Sequence, residues 1–487
     1  MRRPSRNGSF QYVLTETTKR GLKRRVLREA LNPRALKRAR RDEPGALSPP
    51  QRPRQLQVVS VSNSQKCSSQ YTSPTLFVWG CGGDGSLGLG PDHLAEVPRP
   101  RRLRFEGIVS IAAGGLYTLL LDRDGKVWSC GNNDNYALGR ETEPEKHRWG
   151  APDLSFDEVV SKPHVIPGLR CHKISSICAG NELSVAVSAT GELFIWGAVR
   201  NSRGAITLPN RKHFFRAPTR LFSPTSNVKV SSVACGENHI LIISTTGALY
   251  AWGANEGCQL GVASHGANTL GSPVKIILPH SRRVVRVAAG GMHSFAIDSV
   301  GDVWSWGLNF RGQTGIDTDE DRCGEVIETP RRVSTMCKGS PVLAGSRVVE
   351  IACGEFHSIF LLDDGRVFTC GAYDSGQLGL GPSHILASVN KINHPRVRAG
   401  IAVPREVRFP FPLRKRERII GIEADSRRSM AWTESHPFVW GMGNVGELGL
   451  GPTIDEVFQP TLVDLAGWKP VQVSCGGQHT LALFAKN

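Results

Sequence analysis

Two short phrases, each present seven times, constrain this chain more than any other feature. The first is clearest at residues 302–315, Asp-Val-Trp-Ser-Trp-Gly-Leu-Asn-Phe-Arg-Gly-Gln-Thr-Gly, where an apolar run ends in a glycine. The second is clearest at residues 288–297, Ala-Ala-Gly-Gly-Met-His-Ser-Phe-Ala-Ile. Repetition at such a period indicates a row of equivalent supersecondary units that share one core. The first glycines of the first phrase lie 51 to 70 residues apart, at Gly80, Gly131, Gly197, Gly253, Gly307, Gly371 and Gly441.

The segments within each repeat are predicted to be β-strands. They are rich in Val, Ile, Leu, Phe and Trp, and turns such as Asp-Arg-Asp-Gly at 122–125 and Asp-Asp-Gly at 363–365 join them. Glycine in these turns permits the positive φ that a tight hairpin needs. Several strands in each of seven repeats predict an all-β fold, a seven-bladed β-propeller over residues 71–487.

The two ends of the repeat region are complementary halves. The region begins with the first phrase alone, near Leu76, and finishes with the second phrase alone, at residues 474–483. Seven complete blades therefore form only if the last half-repeat pairs with the first. The sequence predicts that N- and C-terminal strands close the propeller, which would remove an exposed sheet edge.

The basic character of the chain is concentrated before the repeats. Its formal net charge is +17, and residues 1–57 contain 16 Lys or Arg against 4 Asp or Glu. Residues 1–70 are predicted to be a largely disordered tail with a bipartite nuclear import signal, and the tail could also contact DNA or chromatin through phosphates. The import signal implies importin as a further partner, and the nucleus is the expected location. The two basic clusters consist of Lys23, Arg24, Arg25, Lys37, Arg38, Arg40 and Arg41.

Cysteine usage favours free thiols in a reducing compartment. Several of the 12 cysteines occupy apolar positions of the repeat, and Cys130 and Cys370 stand where Trp306 stands in another copy. Such cysteines are expected to act as small buried hydrophobes, and their spacing predicts no zinc site. The chain has no apolar run long enough to span a membrane and no secretory signal, so we expect no membrane partner.

The paired phrases resemble those of the regulator of chromosome condensation repeat family. The resemblance covers residues 76–484 and implies the propeller. The single propeller, the basic tail and the early motifs at 113–118 (Ala-Gly-Gly-Leu-Tyr-Thr) and 130–140 are similar to the branch that exchanges nucleotide on the GTPase Ran at chromatin. That likeness implies a guanine-nucleotide exchange factor acting in nucleocytoplasmic transport and in spindle and nuclear-envelope assembly. It also implies no covalent chemistry, no cofactor and no metal, and a monomer is expected.

The resemblance also implies where the GTPase would bind. The irregular repeat at 196–206, Trp-Gly-Ala-Val-Arg-Asn-Ser-Arg-Gly-Ala-Ile, corresponds to a β-wedge that pushes toward the phosphate-binding loop of the GTPase. The implied wedge residues are Arg200, Asn201, Gly204 and Ile206, and the implied rim residues are Asp84, Asn181, Asn238, His357 and His479. For the histidines, hydrogen bonding within the blades is an alternative role, since a residue that recurs in a repeat is commonly scaffold.

A non-catalytic scaffold for protein–protein interaction in the nucleus is the alternative function. Its partner would bind the irregular insertions at 141–165, 317–340 and 383–418. A light receptor is disfavoured because no tryptophan follows the glycines of the second phrase. A hydrolase is disfavoured because no nucleophile–base spacing and no phosphate loop are present.

Overall fold

The structure is a computed structural model, and it describes the repeat region with short gaps. The described residues are 74–93, 95–142, 156–202, 204–205, 214–222, 226–263, 269–318, 326–382, 400–410 and 417–486. The predicted tail, residues 1–70, and its two basic clusters lie outside the described residues, as does the boundary between residues 70 and 71.

Seven four-stranded antiparallel sheets form the blades of a β-propeller, so the predicted fold class is confirmed. Blades 1 to 3 consist of β3 (Ile108–Ala113), β4 (Tyr117–Asp122), β5 (Val127–Gly131) and β6 (His164–Val165); β7 (Ile174–Ala179), β8 (Leu183–Ser188), β9 (Leu193–Ala198) and β12 (Phe214–Arg220); and β13 (Val230–Cys235), β14 (His239–Ser244), β15 (Leu249–Gly253) and β16 (Thr269–Ile276).

Blades 4 to 6 have the same arrangement of four consecutive strands. They consist of β17 (Val284–Ala289), β18 (His293–Asp298), β19 (Val303–Leu308) and β20 (Val326–Arg332); β21 (Val348–Cys353), β22 (His357–Leu362), β23 (Val367–Ala372) and β24 (Gly400–Glu406); and β25 (Gly421–Asp425), β26 (Arg428–Trp432), β27 (Pro437–Met442) and β28 (Glu456–Leu462).

Blade 7 combines both ends of the chain, which confirms the predicted closure. Its strands are, from the axis outward, β29 (Trp468–Cys475), β30 (His479–Lys486), β1 (Thr75–Gly80) and β2 (Val97–Leu103). β1 and β30 are antiparallel, with Leu76 opposite Leu483 and Trp79 opposite Thr480.

Three kinds of short element lie outside the blades. A hairpin of β10 (Arg200–Asn201) and β11 (Gly204–Ala205) interrupts blade 2. One α-helix, α1 (Phe156–Ser161), lies in the insertion before β6 and was not predicted from the sequence. The 3-10 turns are Pro91–His93, Pro167–Leu169, Pro279–Ser281, Ser334–Met336 and Pro341–Leu343.

Burial explains why the second strand of several blades is largely apolar along its whole length. Every residue of β8, β14 and β22 is buried, because each sheet packs between two neighbouring blades and has no solvated face. The outermost strands differ. β2 (Val-Pro-Arg-Pro-Arg-Arg-Leu) has no buried residue, and its prolines and arginines protect a sheet edge from pairing with another chain.

Tryptophans join neighbouring blades. Trp79, Trp196, Trp252, Trp306 and Trp440 have no exposed surface. The indole Nε1 of Trp306 donates to the carbonyl oxygen of Gln259 in the preceding blade at 2.8 Å. Cys370 occupies the same position in blade 5, where its Sγ donates to the carbonyl oxygen of Gln313 at 3.7 Å. These contacts explain why cysteine can replace tryptophan there and show that these tryptophans pack one blade against the next.

We expect Trp306→Ala to lower the free energy of unfolding by about 3–5 kcal/mol, since a buried indole and its hydrogen bond are both lost. Urea denaturation followed by circular dichroism would measure the change. Val300→Ala is the control because Val300 is 47% exposed on the β18–β19 turn. A loss below about 1 kcal/mol for Trp306→Ala would contradict the packing role.

Candidate functional site at the hairpin end of the propeller

The loops that differ most between blades share one end of the propeller. Gly197, near the end of β9, pairs with Leu183, the first residue of β8. The β7–β8 loop and the chain leaving β9 therefore lie at the same end of the propeller. Because the blades repeat this arrangement, the equivalent loops of the other blades lie at that end too. We call this the hairpin face because β10 and β11 lie there.

The hairpin consists of two pairs of residues. Arg200 is opposite Ala205, and Asn201 is opposite Gly204. Gly204 has a φ of +110°, a conformation that residues with a Cβ rarely adopt. The glycine at position 204 therefore allows a hairpin in this repeat, where other repeats have a Leu-Gly turn.

Side chains of two blades fix this hairpin. The Arg200 N–H donates to Oδ1 of Asn238 at 2.8 Å, and its guanidinium lies 3.4 Å from the carboxylate of Glu182. Ser202 donates from its N–H and its hydroxyl to Glu256, at 2.8 and 2.7 Å. The hairpin is therefore held between blade 2 and blade 3, and such support preorganises a protruding element for binding.

Most predicted wedge and rim residues lie on the hairpin face. Arg200, Asn201 and Gly204 belong to the hairpin, whereas Ile206 lies outside the described residues. Asn181 is exposed in the β7–β8 loop, and Asp84 is partly exposed in the loop after β1. Asn238 is partly exposed and contributes as an anchor of the hairpin. Whether these side chains contact a GTPase stays a prediction.

The structure corrects the rim assignment of His357 and His479. Both side chains have no exposed surface and cannot touch a partner. Nε2 of His479 lies 2.9 Å from Oγ1 of Thr118 in blade 1, and Nε2 of His357 lies 2.8 Å from Oγ of Ser429 in blade 6. The histidines join adjacent blades, rather than parts of one blade.

A close approach explains why glycine precedes these histidines by three residues. A Cβ added to Gly354 would lie 2.2 Å from Cε1 of His357. The imidazole thus fills the volume that any larger residue would occupy. The Gly-x-x-His pattern is a packing unit, which is why it recurs in blades whose loops otherwise differ.

Burial lowers the pKa of these histidines, to about 3 in His479 and about 4 in His357. An unfolded histidine titrates near 6.5, so the unfolded state binds more protons between these values and folding weakens as pH falls below about 6.5. Glu237 opposes this trend, because its raised pKa favours the folded state as pH falls.

We therefore expect His479→Asn to reduce the loss of stability on acidification. The difference in slope between variant and wild type isolates one histidine, at about 1.4 kcal/mol per pH unit below pH 6. Urea midpoints at several pH values between 7 and 4.5 would measure it, with His280→Asn, at an exposed histidine, as control. Parallel slopes for His479→Asn and wild type would contradict the buried neutral state.

Three carboxylates at the channel opening were missed by sequence reasoning. Glu237, Glu355 and Asp425 line the channel where it opens on the hairpin face, and we call them the acidic mouth. Burial raises the pKa of Glu237 to about 7, with repulsion from Glu355 and Asp425 adding to the effect. The signal was available, since Gly-Glu-x-His occurs at 236–239 and at 354–357.

The inner strands of all seven blades surround an axial channel of about 430 Å³. Burial also raises the pKa of Glu423 in its wall well above the usual range. Among the described residues, no group of three or more His, Cys, Asp or Glu side chains is arranged to hold a metal ion. In that same part of the chain, no helix is long and apolar enough to span a bilayer.

Comparison with known proteins agrees with this architecture. The profile of the RCC1-like domain matches residues 75–482. The chain belongs to the RCC1-like family. The guanine nucleotide exchange factor SRM1 of Saccharomyces cerevisiae is 31% identical over 84% of this chain and 86% of its own length.

Two solved structures from yeast share this RCC1-like fold. One is Prp20p of Saccharomyces cerevisiae, described with its binding properties to Gsp1p and histones. It has a TM-score of 0.72 at 29% identity and covers 85% of this chain and 92% of its own. The other is yeast RCC1 (Prp20) bound to Kap60, with a TM-score of 0.72 at 27% identity over 93% of this chain and 96% of its own.

Proposed function

We propose that this chain is a guanine-nucleotide exchange factor for a GTPase of the Ran type and that it binds the GTPase with its hairpin face. The observation that carries the proposal is the braced hairpin β10–β11, at the segment where the family resemblance implies the wedge. The exchange activity named for SRM1 and the Gsp1p binding named for Prp20p support the choice of partner.

Exchange of this kind requires no covalent step. The factor must bind the nucleotide-free GTPase better than the loaded form, and nucleotide then weakens its binding by the same factor. A loosening of roughly 10⁵-fold corresponds to about 7 kcal/mol of differential binding. The hairpin supplies the part that competes with the phosphates, and the surrounding loops supply the remaining contacts.

The acidic mouth gives this face a partner preference. Burial, with mutual repulsion added to it, keeps a fraction of these carboxylates protonated, since it raises the pKa of Glu237 to about 7. A basic surface on the partner would release those protons and gain ion pairs in the same step. Complementary charge also accelerates encounter. A GTPase that presents lysines or arginines beside its nucleotide site is therefore the favoured partner.

The basic tail fits a nuclear protein that acts at chromatin. We propose that its clusters at 23–25 and 37–41 bind importin during import and phosphate backbones or chromatin afterwards. Kap60 and histones are the partners named for the yeast structures, and the basic clusters of this chain carry the charge that importin or phosphate backbones would bind. A nuclear location and a role in nucleocytoplasmic transport and spindle assembly follow from this proposal.

Release of fluorescent GDP tests the exchange activity directly. We expect the full chain to accelerate release from Ran and to leave Rho- and Rab-type GTPases unchanged. Complex formation with Ran without acceleration would overturn exchange and favour the scaffold alternative. Acceleration of all three classes would contradict the assignment of the partner.

A further inference from the structure

Two cysteines of neighbouring blades meet in the wall of the axial channel. Cys178 lies in β7 of blade 2, and Cys235 ends β13 of blade 3. The N–H of Cys235 donates to Sγ of Cys178 at 3.1 Å. Since an N–Cα bond is about 1.46 Å, that sulfur lies within about 4.6 Å of Cα of Cys235. The two side chains therefore approach closely enough for a bond with little backbone movement.

The repeat itself creates this contact. At the junction of blades 7 and 1, the hydroxyl of Ser474 accepts the N–H of Ala113 at 3.0 Å, in the same geometry. Ser474 corresponds to Cys178, and Ala113 corresponds to Cys235. Cys353 also corresponds to Cys235. The residue of the preceding blade that corresponds to Cys178 is there Ala288, which packs in the same cluster as Cys353. Along the described inner strands, two thiols occupy these paired positions at the junction of blades 2 and 3.

The two thiols differ in acidity in a way that suits a reaction. A hydrogen bond from the Cys235 thiol lowers the pKa of Cys178, with backbone N–H groups of Cys235 and Ala179 adding to it against burial. Burial raises the pKa of Cys235. It also raises that of Cys353, to about 12. Cys178 is thus the thiolate-forming member, and thiolates are the nucleophiles in cysteine chemistry.

Small solutes have access to this pair. Cys178 and Cys235 are free, partly exposed and line the channel of about 430 Å³. A hydroperoxide is small and polar, and such a channel can hold several molecules of this size, since one water takes about 30 Å³.

We propose that Cys178 and Cys235 form a peroxide-reactive thiol pair that closes to a disulfide between blades 2 and 3. The Cys178 thiolate attacks an oxygen of the hydroperoxide, the O–O bond breaks, and the leaving alkoxide or hydroxide takes a proton. The sulfenic acid of Cys178 is then attacked by the sulfur of Cys235. The S–S bond forms, the S–O bond breaks, and the Cys235 proton leaves with the hydroxyl as water. Two thiols and one hydroperoxide thus yield one disulfide, one alcohol or water, and one water.

The disulfide would lie close to the hairpin β10–β11. Cys235 is three residues from Asn238, which accepts the Arg200 N–H of that hairpin. Oxidation would therefore join the two blades between which the hairpin is held.

The test uses the full reduced chain treated with hydrogen peroxide, alkylated, digested without reductant and mapped by mass spectrometry. We expect a Cys178–Cys235 cross-link lighter than the two peptides by two hydrogens. Fragment ions must distinguish Cys235 from Cys258, which shares its tryptic peptide. In Cys235→Ser, dimedone should trap the sulfenic acid on Cys178 at least about tenfold faster than on Cys353, the matched internal control.

Two results would overturn the proposal. One is the absence of the cross-link from the wild-type chain when other cysteines are oxidised. The other is labelling of Cys178 in Cys235→Ser no faster than labelling of Cys353, which would mean that Cys178 is not the peroxide-reactive member of the pair. Neither readout depends on exchange activity, so failure here is distinct from failure of the proposed function.

Discussion

Replacing Arg200 and Asn201 by alanine should lower the rate of GDP release from Ran by at least about 100-fold, or about 2.7 kcal/mol in the transition state. The double substitution removes the Arg200 contact with Glu182 and truncates both side chains of β10 to a methyl group. The hairpin is proposed to bind the nucleotide-free GTPase more tightly than the loaded form. Loss of these side chains should therefore lower the exchange rate. Stopped-flow release of fluorescent GDP would measure it.

The matched control is Asp124→Ala with Lys126→Ala. These residues lie on the β4–β5 turn, at the opposite end of the propeller, and their side chains are 69% and 56% exposed. The control should retain full activity, and both variants should melt within a few degrees of wild type. An Arg200 and Asn201 variant that folds normally and exchanges at the wild-type rate would exclude the hairpin as the wedge.

Removing β30 should prevent stable folding altogether. A chain ending at residue 475 loses Leu481, Leu483 and Phe484, each at most 1% exposed. Burial of such side chains contributes about 1.5–3 kcal/mol each, so their sum approaches the 5–15 kcal/mol of a whole domain. The deletion also leaves β1 and β29 with unpaired edges in one blade. Far-ultraviolet circular dichroism and thermal melting would show the loss.

Deletion of residues 1–70 is the control for this truncation. It removes more residues but no strand of any blade, so the melting transition should stay within a few degrees of wild type. A cooperative transition that survives removal of β30 would show that six blades suffice and that the terminal pairing is dispensable.

Some features of this protein can be inferred from the sequence alone, and others cannot. The blade count follows from periodic glycines, because Gly307 and its equivalents mark the same point of every repeat. The closure follows from the two half-repeats, which have no other partner. Cys130 and Cys370 could be placed in tryptophan positions by alignment of the repeat with itself. Each of these inferences compares a segment with its own copies.

Residues that act across blade junctions were harder to assign. Imidazole side chains such as those of His357 and His479 are common at binding faces. Here, however, they form hydrogen bonds with the hydroxyls of Ser429 and Thr118 in the next blade. Asn238 looked like a rim residue, and its amide oxygen braces the hairpin. Periodicity reports where a residue lies along a strand, and it does not report which neighbouring blade its side chain meets.

The sequence by itself determined the seven blades, their closure through both termini and the family, since all three are properties of a pattern repeated along the chain. Only the tertiary structure decided which polar residues are scaffold and which face solvent. Glu237, Glu355 and Asp425 are far apart in sequence, and Cys178 and Cys235 are 57 residues apart. Winding around one axis brings each set together, and the curvature that does so belongs to the packing of blades rather than to any single repeat.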